Sequence, residues 1–298
     1  MLDEASLKSL ITAGKIAREA REYSQRLVKP GVKLLDLAVN IENYIKERGG
    51  GLAFPVNIGV NSVAAHYTPV FNDDLTIPDG SVVKIDIGVH VDGYIADTAI
   101  TVSLSPAHNR LVEATSSALE RALRAISPGI RALEIGRVIE ESIKLAGFKP
   151  IQNLGGHGIE RYSIHSGVVI PNYRDFLCRH RLVPGVYAIE PFATNGVGLV
   201  KEAGAVTIYA LKSLDRDASP LAKTVYNLIN QERRGLPFAP RWYINRVLDP
   251  ASFNAALAHL DRAGCLKEYP VLVERGGGAV AQFEHTVVVT EREVIVTT

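Results

Sequence analysis

From residue 3 to residue 29 the apolar positions Leu7, Leu10, Ile11, Ala17 and Leu27 are separated by charged ones, and Pro30-Gly31 closes the run. That spacing predicts an amphipathic helix. A second is predicted over residues 34–48, ended by the glycines at 49–51. Ser105-Pro106 supplies an N-cap and a first-turn proline for a helix reaching Ile126, and Pro128-Gly129 separates it from another over residues 133–146. Runs rich in β-branched residues at 81–91, 94–104, 185–192 and 283–290 predict strands of an antiparallel sheet. Between Leu211 and Pro270 the pattern changes to two helical stretches, 220–233 and 251–263, joined by a segment containing Leu236-Pro237-Phe238-Ala239-Pro240. This region reads as an insertion, residues 207–270, into a domain formed by 1–206 and 271–298.

The helical pattern repeats. Pro30-Gly31-Val32-Lys33-Leu34 runs through Ile41-Glu42 and Ile45-Lys46 to Gly49, and Pro128-Gly129-Ile130-Arg131-Ala132 runs through Ile139-Glu140 and Ile143-Lys144 to Gly147, at a constant offset of 98. Downstream, Val83-Lys84-Ile85-Asp86 has a counterpart in Tyr187-Ala188-Ile189-Glu190, and Ala96-Asp97-Thr98 is echoed by Phe283-Glu284-His285-Thr286. A helix-then-strand unit that brings acids to the same stations twice points to an α+β fold of two pseudo-two-fold related halves, with the acids converging on the axis. Metal sites are built in that way.

Composition narrows the partners. The 298 residues, 47% hydrophobic, suffice for a substantial core, and 33 basic against 32 acidic residues leave a formal charge of +1. Residues 215–269 carry 8 basic and 6 acidic groups, so neither the whole chain nor the insertion has the electrostatic footprint of direct nucleic-acid binding. No apolar run approaches a membrane span, and Met1-Leu2-Asp3-Glu4 lacks the marks of a signal peptide, so no membrane association and a cytoplasmic location are expected. Cys178 and Cys265 show no C-x-x-C spacing; they indicate no thiolate zinc site and leave a single disulfide open.

Asp92-Gly93 between two strand-like runs is a two-residue hairpin signal. With that turn Gly88 faces Asp97, and Asp86 lies diagonally across from Asp97 on the same face of the ribbon. A lone pair of this kind reads as two solvated strand residues. Here, however, Ile85-Asp86-Ile87 and Ile189-Glu190-Pro191 both set an acid within an apolar strand, where an unpaired charge is costly. His157, in Gly155-Gly156-His157-Gly158, would be an ordinary loop histidine by itself and a nitrogen ligand beside four converging carboxylates. Four carboxylates and one imidazole suit a pair of Mn, Fe, Co or Zn ions. His66, in Ala64-Ala65-His66-Tyr67-Thr68, is open on spacing alone between a site residue and a hydrogen-bonded strand histidine.

Taken together, Ala65-His66-Tyr67-Thr68-Pro69, Lys84-Ile85-Asp86-Ile87-Gly88, Asp92-Gly93-Tyr94-Ile95-Ala96-Asp97-Thr98, Gly156-His157-Gly158-Ile159, Ile164-His165, Ala188-Ile189-Glu190 and Gln282-Phe283-Glu284-His285-Thr286 make the whole chain resemble the type II methionine aminopeptidases, in their archaeal form without an N-terminal extension. The resemblance implies the pita-bread fold around a central antiparallel sheet, with the insertion as the winged-helix-like helical domain of type II members. It implies two divalent metal ions (Co, Mn, Fe or Zn) held by Asp86, Asp97, His157, Glu190 and Glu284, with Asp97 and Glu284 bridging. Glu190 would also handle the proton, while His66 and His165 would contact the substrate and stabilise the tetrahedral intermediate. Phe54, Pro55, Asn57 and Ile58 would form the methionine pocket. One departure is Pro191 after Glu190, where eukaryotic members usually carry threonine.

The implied activity is removal of the initiator methionine from nascent polypeptides with a small second residue, with the ribosome as a place of encounter. An X-Pro aminopeptidase or prolidase on the same fold is the alternative, and a non-enzymatic binding member is a third reading. Because residue 2 is leucine, the chain is expected to keep Met1.

Overall fold

The computed structural model describes residues 3–246 and 248–298, so the expectation about Met1 and Leu2 lies outside the described residues. The first half contains helices α1 (Glu4–Leu27) and α2 (Leu34–Glu47), then strands β1 (Gly51–Leu52), β2 (Asn57–Val60), β3 (Val63–Ala65), β4 (Val82–Val91) and β5 (Tyr94–Ser103). The second half begins with α3 (Pro106–Ala125), α4 (Ala132–Leu145), β6 (Lys149–Pro150), β7 (Gly155–Ile159), β8 (Val169–Pro171), β9 (Gly185–Ile189), β10 (Phe192–Thr194) and β11 (Val200–Leu211). There follow α5 (Pro220–Arg233), a 3₁₀ turn (Pro240–Trp242), α6 (Pro250–Arg262), β12 (Leu266–Glu274), β13 (Val280–Gln282), β14 (His285–Val289) and β15 (Val294–Val296).

The duplication is physical. α2 and α4 each span 14 residues. Gly31 (φ 82) and Gly129 (φ 78) enter the two helices through the same left-handed turn, one hydrogen-bonded from its N–H to Ile77 O and the other to Leu182 O, both at 2.8 Å. Side-chain caps start α1 from Asp3 and α3 from Ser105, as their sequences require.

Helices α1 and α2 bury Ile16, Leu37, Ile41 and Ile45 against Ile85, Ile87 and Val89 of the first half's sheet. Helices α3 and α4 bury Leu119, Ile135, Ile139 and Ile143 against Tyr187, Ile189, Val287 and Val289 of the second. The central antiparallel structure is thus two main sheets. In one β4 lies between β1, β2 and β5, and the other has the order β15-β14-β9-β7-β8. They join at an Ala99–Glu284 bridge, reinforced where Asp97 N donates to Thr286 Oγ1 (2.7 Å) and that hydroxyl donates back to Asp97 O (2.8 Å).

Three sequence expectations need correction. The strand expected over 185–192 is broken between Ile189 and Phe192, because Pro191 has no N–H for a ladder. The glycine-flanked His157 is in strand β7 rather than a loop: a Cβ on Gly156 would fall 2.2 Å from Ala188 O, so the glycines let strands approach closely. The region after Val200 contains two long strands as well as helices. β11 and β12 pair from Val200–Glu274 to Leu211–Leu266, with irregular register between Glu202 and Ile208, which blurs the alternation in sequence. The α5–α6 helices have their own core around Phe238, Tyr243 and Phe253. Both cysteines are free thiols.

Candidate metal centre

The Asp92-Gly93 turn, with both residues at positive φ (53 and 85), sets the hairpin register Val91–Tyr94, Gly88–Asp97 and Asp86–Ala99. Asp86 and Asp97 therefore share one face. The interruption of the strand at Pro191 leaves Glu190 just beyond β9, and the bridge to Ala99 holds Glu284 just before β14. His157 comes in from β7, paired with Ala188. Its Nε2 lies 3.7 Å from Asp97 Oδ2 and 3.7 Å from Glu190 Oε1. Donor atoms of Asp97, His157 and Glu284 fall within 4.8 Å of one another, and the same cavity is lined by Asp86 and Glu190. All five acid and imidazole side chains named from the sequence are brought together.

Burial makes this convergence costly. Asp97 is 3% exposed and Glu284 1%. Desolvation pushes the Asp86 carboxyl up to about 7. It drives Asp97, Glu190 and Glu284 well above the carboxylate range, and the neighbouring negative charges drive them further. Burial lowers His157 to about 4, so its imidazole is neutral at neutral pH and has a lone pair to donate. Asp86 Oδ1, Asp97 Oδ1 and Glu284 Oε1 are shielded from water yet have no hydrogen-bond partner. Acceptors left unpaired among like charges fit a cation, and this set of hard oxygens with one imidazole fits a divalent transition metal or zinc.

The cavity has a volume of about 430 Å³. His66 and His165 line it, as do Phe54 and Asn57. His66 has φ 63, a conformation rare for a residue with a Cβ and characteristic of functional sites. Its Nδ1 is 3.3 Å from Pro270 O, and burial lowers its pKa to about 4. His165 stands edge-on to His157 with ring centroids 4.5 Å apart, and the surrounding protein also holds it well below its ordinary value. Pro55 and Ile58 are not brought to the cavity. Strand alternation turns Asn57 toward it and Ile58 into the core under α2, so of the four expected pocket residues Phe54 and Asn57 line the cavity.

Sequence reasoning missed three contributors. Gln282 Nε2 donates to Glu284 Oε2 (3.2 Å) and approaches Glu190 Oε2 at 3.4 Å. Thr286 ties the two halves together, and Tyr269 lies against both His66 and His165 at the rim. Gln282 and Thr286 stand two residues either side of Glu284, a spacing that puts them on its side of a strand; Tyr269, on an unexpected strand, left no such signal.

This site and fold define a metal-dependent peptidase. The model described as metallopeptidase family M24 matches residues 8–291, and the chain belongs to that family, with the methionine aminopeptidases among its members. It is 46% identical over 291 residues to the methionine aminopeptidase of Methanocaldococcus jannaschii, covering 98% of each chain. Among solved structures, a thermophilic Arx1 aligns with a TM-score of 0.86 at 18% identity, covering 100% of this chain and 91% of that one. The methionine aminopeptidase of Thermotoga maritima aligns with a TM-score of 0.71 at 22% identity, covering 99% and 97%. These two structural likenesses speak for the fold; the 46% identity to the Methanocaldococcus jannaschii enzyme speaks for the kind of peptidase. No described helix is long and apolar enough to cross a membrane.

Proposed function

We propose that this chain removes the N-terminal methionine from newly made polypeptides whose second residue is small, using two divalent metal ions held by Asp86, Asp97, His157, Glu190 and Glu284. The observation that carries the reading is the group of buried, unpaired carboxylate oxygens beside His157, in a chain 46% identical to a methionine aminopeptidase. When bound, the ions supply Lewis acidity and a more acidic water. Asp86, Asp97 and Glu284, each with a buried oxygen free of protein hydrogen bonds, would be among the residues that hold them.

Glu190, whose side chain is 13% exposed against 4% for Asp97, holds and returns the proton of the attacking water. His66 and His165, neutral because their pKa values are lowered, offer ring N–H groups to the carbonyl oxygen as negative charge develops. Phe54 supplies the apolar wall for the methionine side chain, and the limited room beside the scissile bond favours a small second residue. We read residues 207–270 as an insertion that adds to the rim through Ile208, Pro237 and Tyr269. The substrates would be met in the cytoplasm as chains leave the ribosome.

An X-Pro peptidase would use the same acids, so the decisive comparison is between substrates. The chain loaded with Co or Mn is expected to cleave Met-Ala-Ser in preference to an Ala-Pro peptide and to lose that activity on Asp97→Ala. Preference for Ala-Pro would reject the proposal.

A further inference from the structure

Residues 53–56, between β1 and β2, carry Phe54 to the cavity, and their backbone is gripped from outside the catalytic strands. Arg233, the last residue of α5, is 8% exposed. Its Nη2 donates to Leu52 O (2.7 Å) and Ala53 O (3.1 Å), while Nε and Nη2 both reach Pro237 O at 3.2 and 2.7 Å. Arg241, in the 3₁₀ turn, has a side chain only 4% exposed and donates to Glu42 Oε1 (2.5 Å) and Thr68 Oγ1 (3.1 Å). Glu42 Oε1 also accepts the Val56 N–H (3.3 Å), and Thr68 Oγ1 donates to Val56 O (2.8 Å). Both polar groups of the Val56 backbone are therefore held by side chains that Arg241 itself holds.

Neither arginine lines the cavity. Burying a guanidinium is expensive, and Arg241 Nε and Nη1 have no partner, so a purely structural anchor would be better made of apolar groups. What the arrangement fixes is the place of one ring. Phe54 packs on Gly88 so closely that a Cβ there would fall 2.2 Å from Phe54 Cε1, and Gly88 is the cross-strand partner of Asp97. A small movement of residues 53–56 thus moves the pocket wall relative to the metal ligands.

We propose that Arg233 and Arg241 are positioning residues through which the α5–α6 segment sets the shape of the side-chain pocket, and with it the selectivity for N-terminal methionine. The inference rests on the proposed activity. Its test is Arg233→Met and Arg241→Met, with Arg233→Lys and Arg241→Lys beside them, in the full metal-loaded chain acting on Met-Ala-Ser and Leu-Ala-Ser. Loss of a charged hydrogen bond should raise KM for the methionine peptide about tenfold and cut the methionine-over-leucine preference about tenfold, while kcat stays within about threefold. The lysine variants should recover part of both effects.

Parallel losses on the two peptides with the preference intact, or a fall in kcat at unchanged KM, would overturn the proposal. Should a methionine variant fail to fold, the lysine variants and Thr68→Val, which keeps shape while removing the bonds to Val56 and Arg241, carry the same comparison. A wild-type chain with no preference for methionine would fail earlier, sinking the activity itself and this inference with it.

Discussion

In the first half of the molecule Asp86 and Asp97 sit in mid-strand on one hairpin, 11 residues apart, whereas in the second Glu190 and Glu284 sit at strand ends, 94 residues apart, with α5 and α6 between them. The helices have kept their offset of 98, but Glu190 follows Asp86 by 104 residues and Glu284 follows Asp97 by 187. A hairpin fixes two acids by register alone. The second pair also meets by register, since the β9–β14 pairing of Ile189 with His285 sets Glu190 beside Glu284, and what joins it to the first pair is contact between the halves, namely the Ala99–Glu284 bridge and the paired hydrogen bonds of Thr286 with Asp97. Duplication thus supplies a scaffold, and the site is completed where the copies meet.

The most severe way to break this comparison is to remove one acid from each half. Asp97→Ala and Glu284→Ala should each lower kcat/KM by at least about a thousandfold, because each removes one carboxylate of the proposed metal centre. Metal content should fall in parallel. Peptide assays and elemental analysis on both proteins check this, and an active Glu284→Ala beside an inactive Asp97→Ala would show that the first half suffices.

Much of this difference was legible in the chain. The 98-residue offset, the helices and the Asp92-Gly93 register all follow from local chemistry, in which proline, glycine and period 3.6 or 2 act over a few residues. The acids were found for the same reason: a charge inside an apolar strand is conspicuous. What escaped notice depends on distant chain. Strand β7 looked like a loop because its glycines answer to Ala188 O and Ile170 O across the sheet. Ile58 looked like pocket because alternation gives a face only once the sheet is known, and β11 was obscured by its irregular register. The arginines that grip residues 52–56 lie some 180 residues away in sequence and carry no local mark.

A milder test sharpens how the halves tolerate one another without metal. The Asp86 carboxyl is pushed up to about 7 by burial, against about 3.9 when unfolded. Its protonated form is the stable one in the folded, metal-free protein, so this contribution to stability is fully present below about pH 4 and is lost as pH rises through about 7. Ions bind the ionised carboxylates and must displace protons below that range. The gain in Tm on adding Co or Mn is therefore expected to be larger at pH 8 than at pH 6, with protons released on binding. Equal gains at both pH values would mean that the acids are already ionised without metal.

The smallest effect tests the scaffold itself. Gly31 and Gly129 have φ values of 82 and 78, and a Cβ at either would meet nothing within 4 Å. Alanine should therefore cost only the left-handed backbone penalty, about 1 kcal/mol at each position. For a domain of this size that is a fall in Tm of roughly 2 °C. Thermal melts of Gly31→Ala and Gly129→Ala, alone and combined, measure it, and far-apart sites should add. Equal costs would make the duplicated turn the same in energy as in geometry. A much larger cost at one would mean that its helix entry carries strain concealed by the matching angles, and that the two halves differ already at the scaffold.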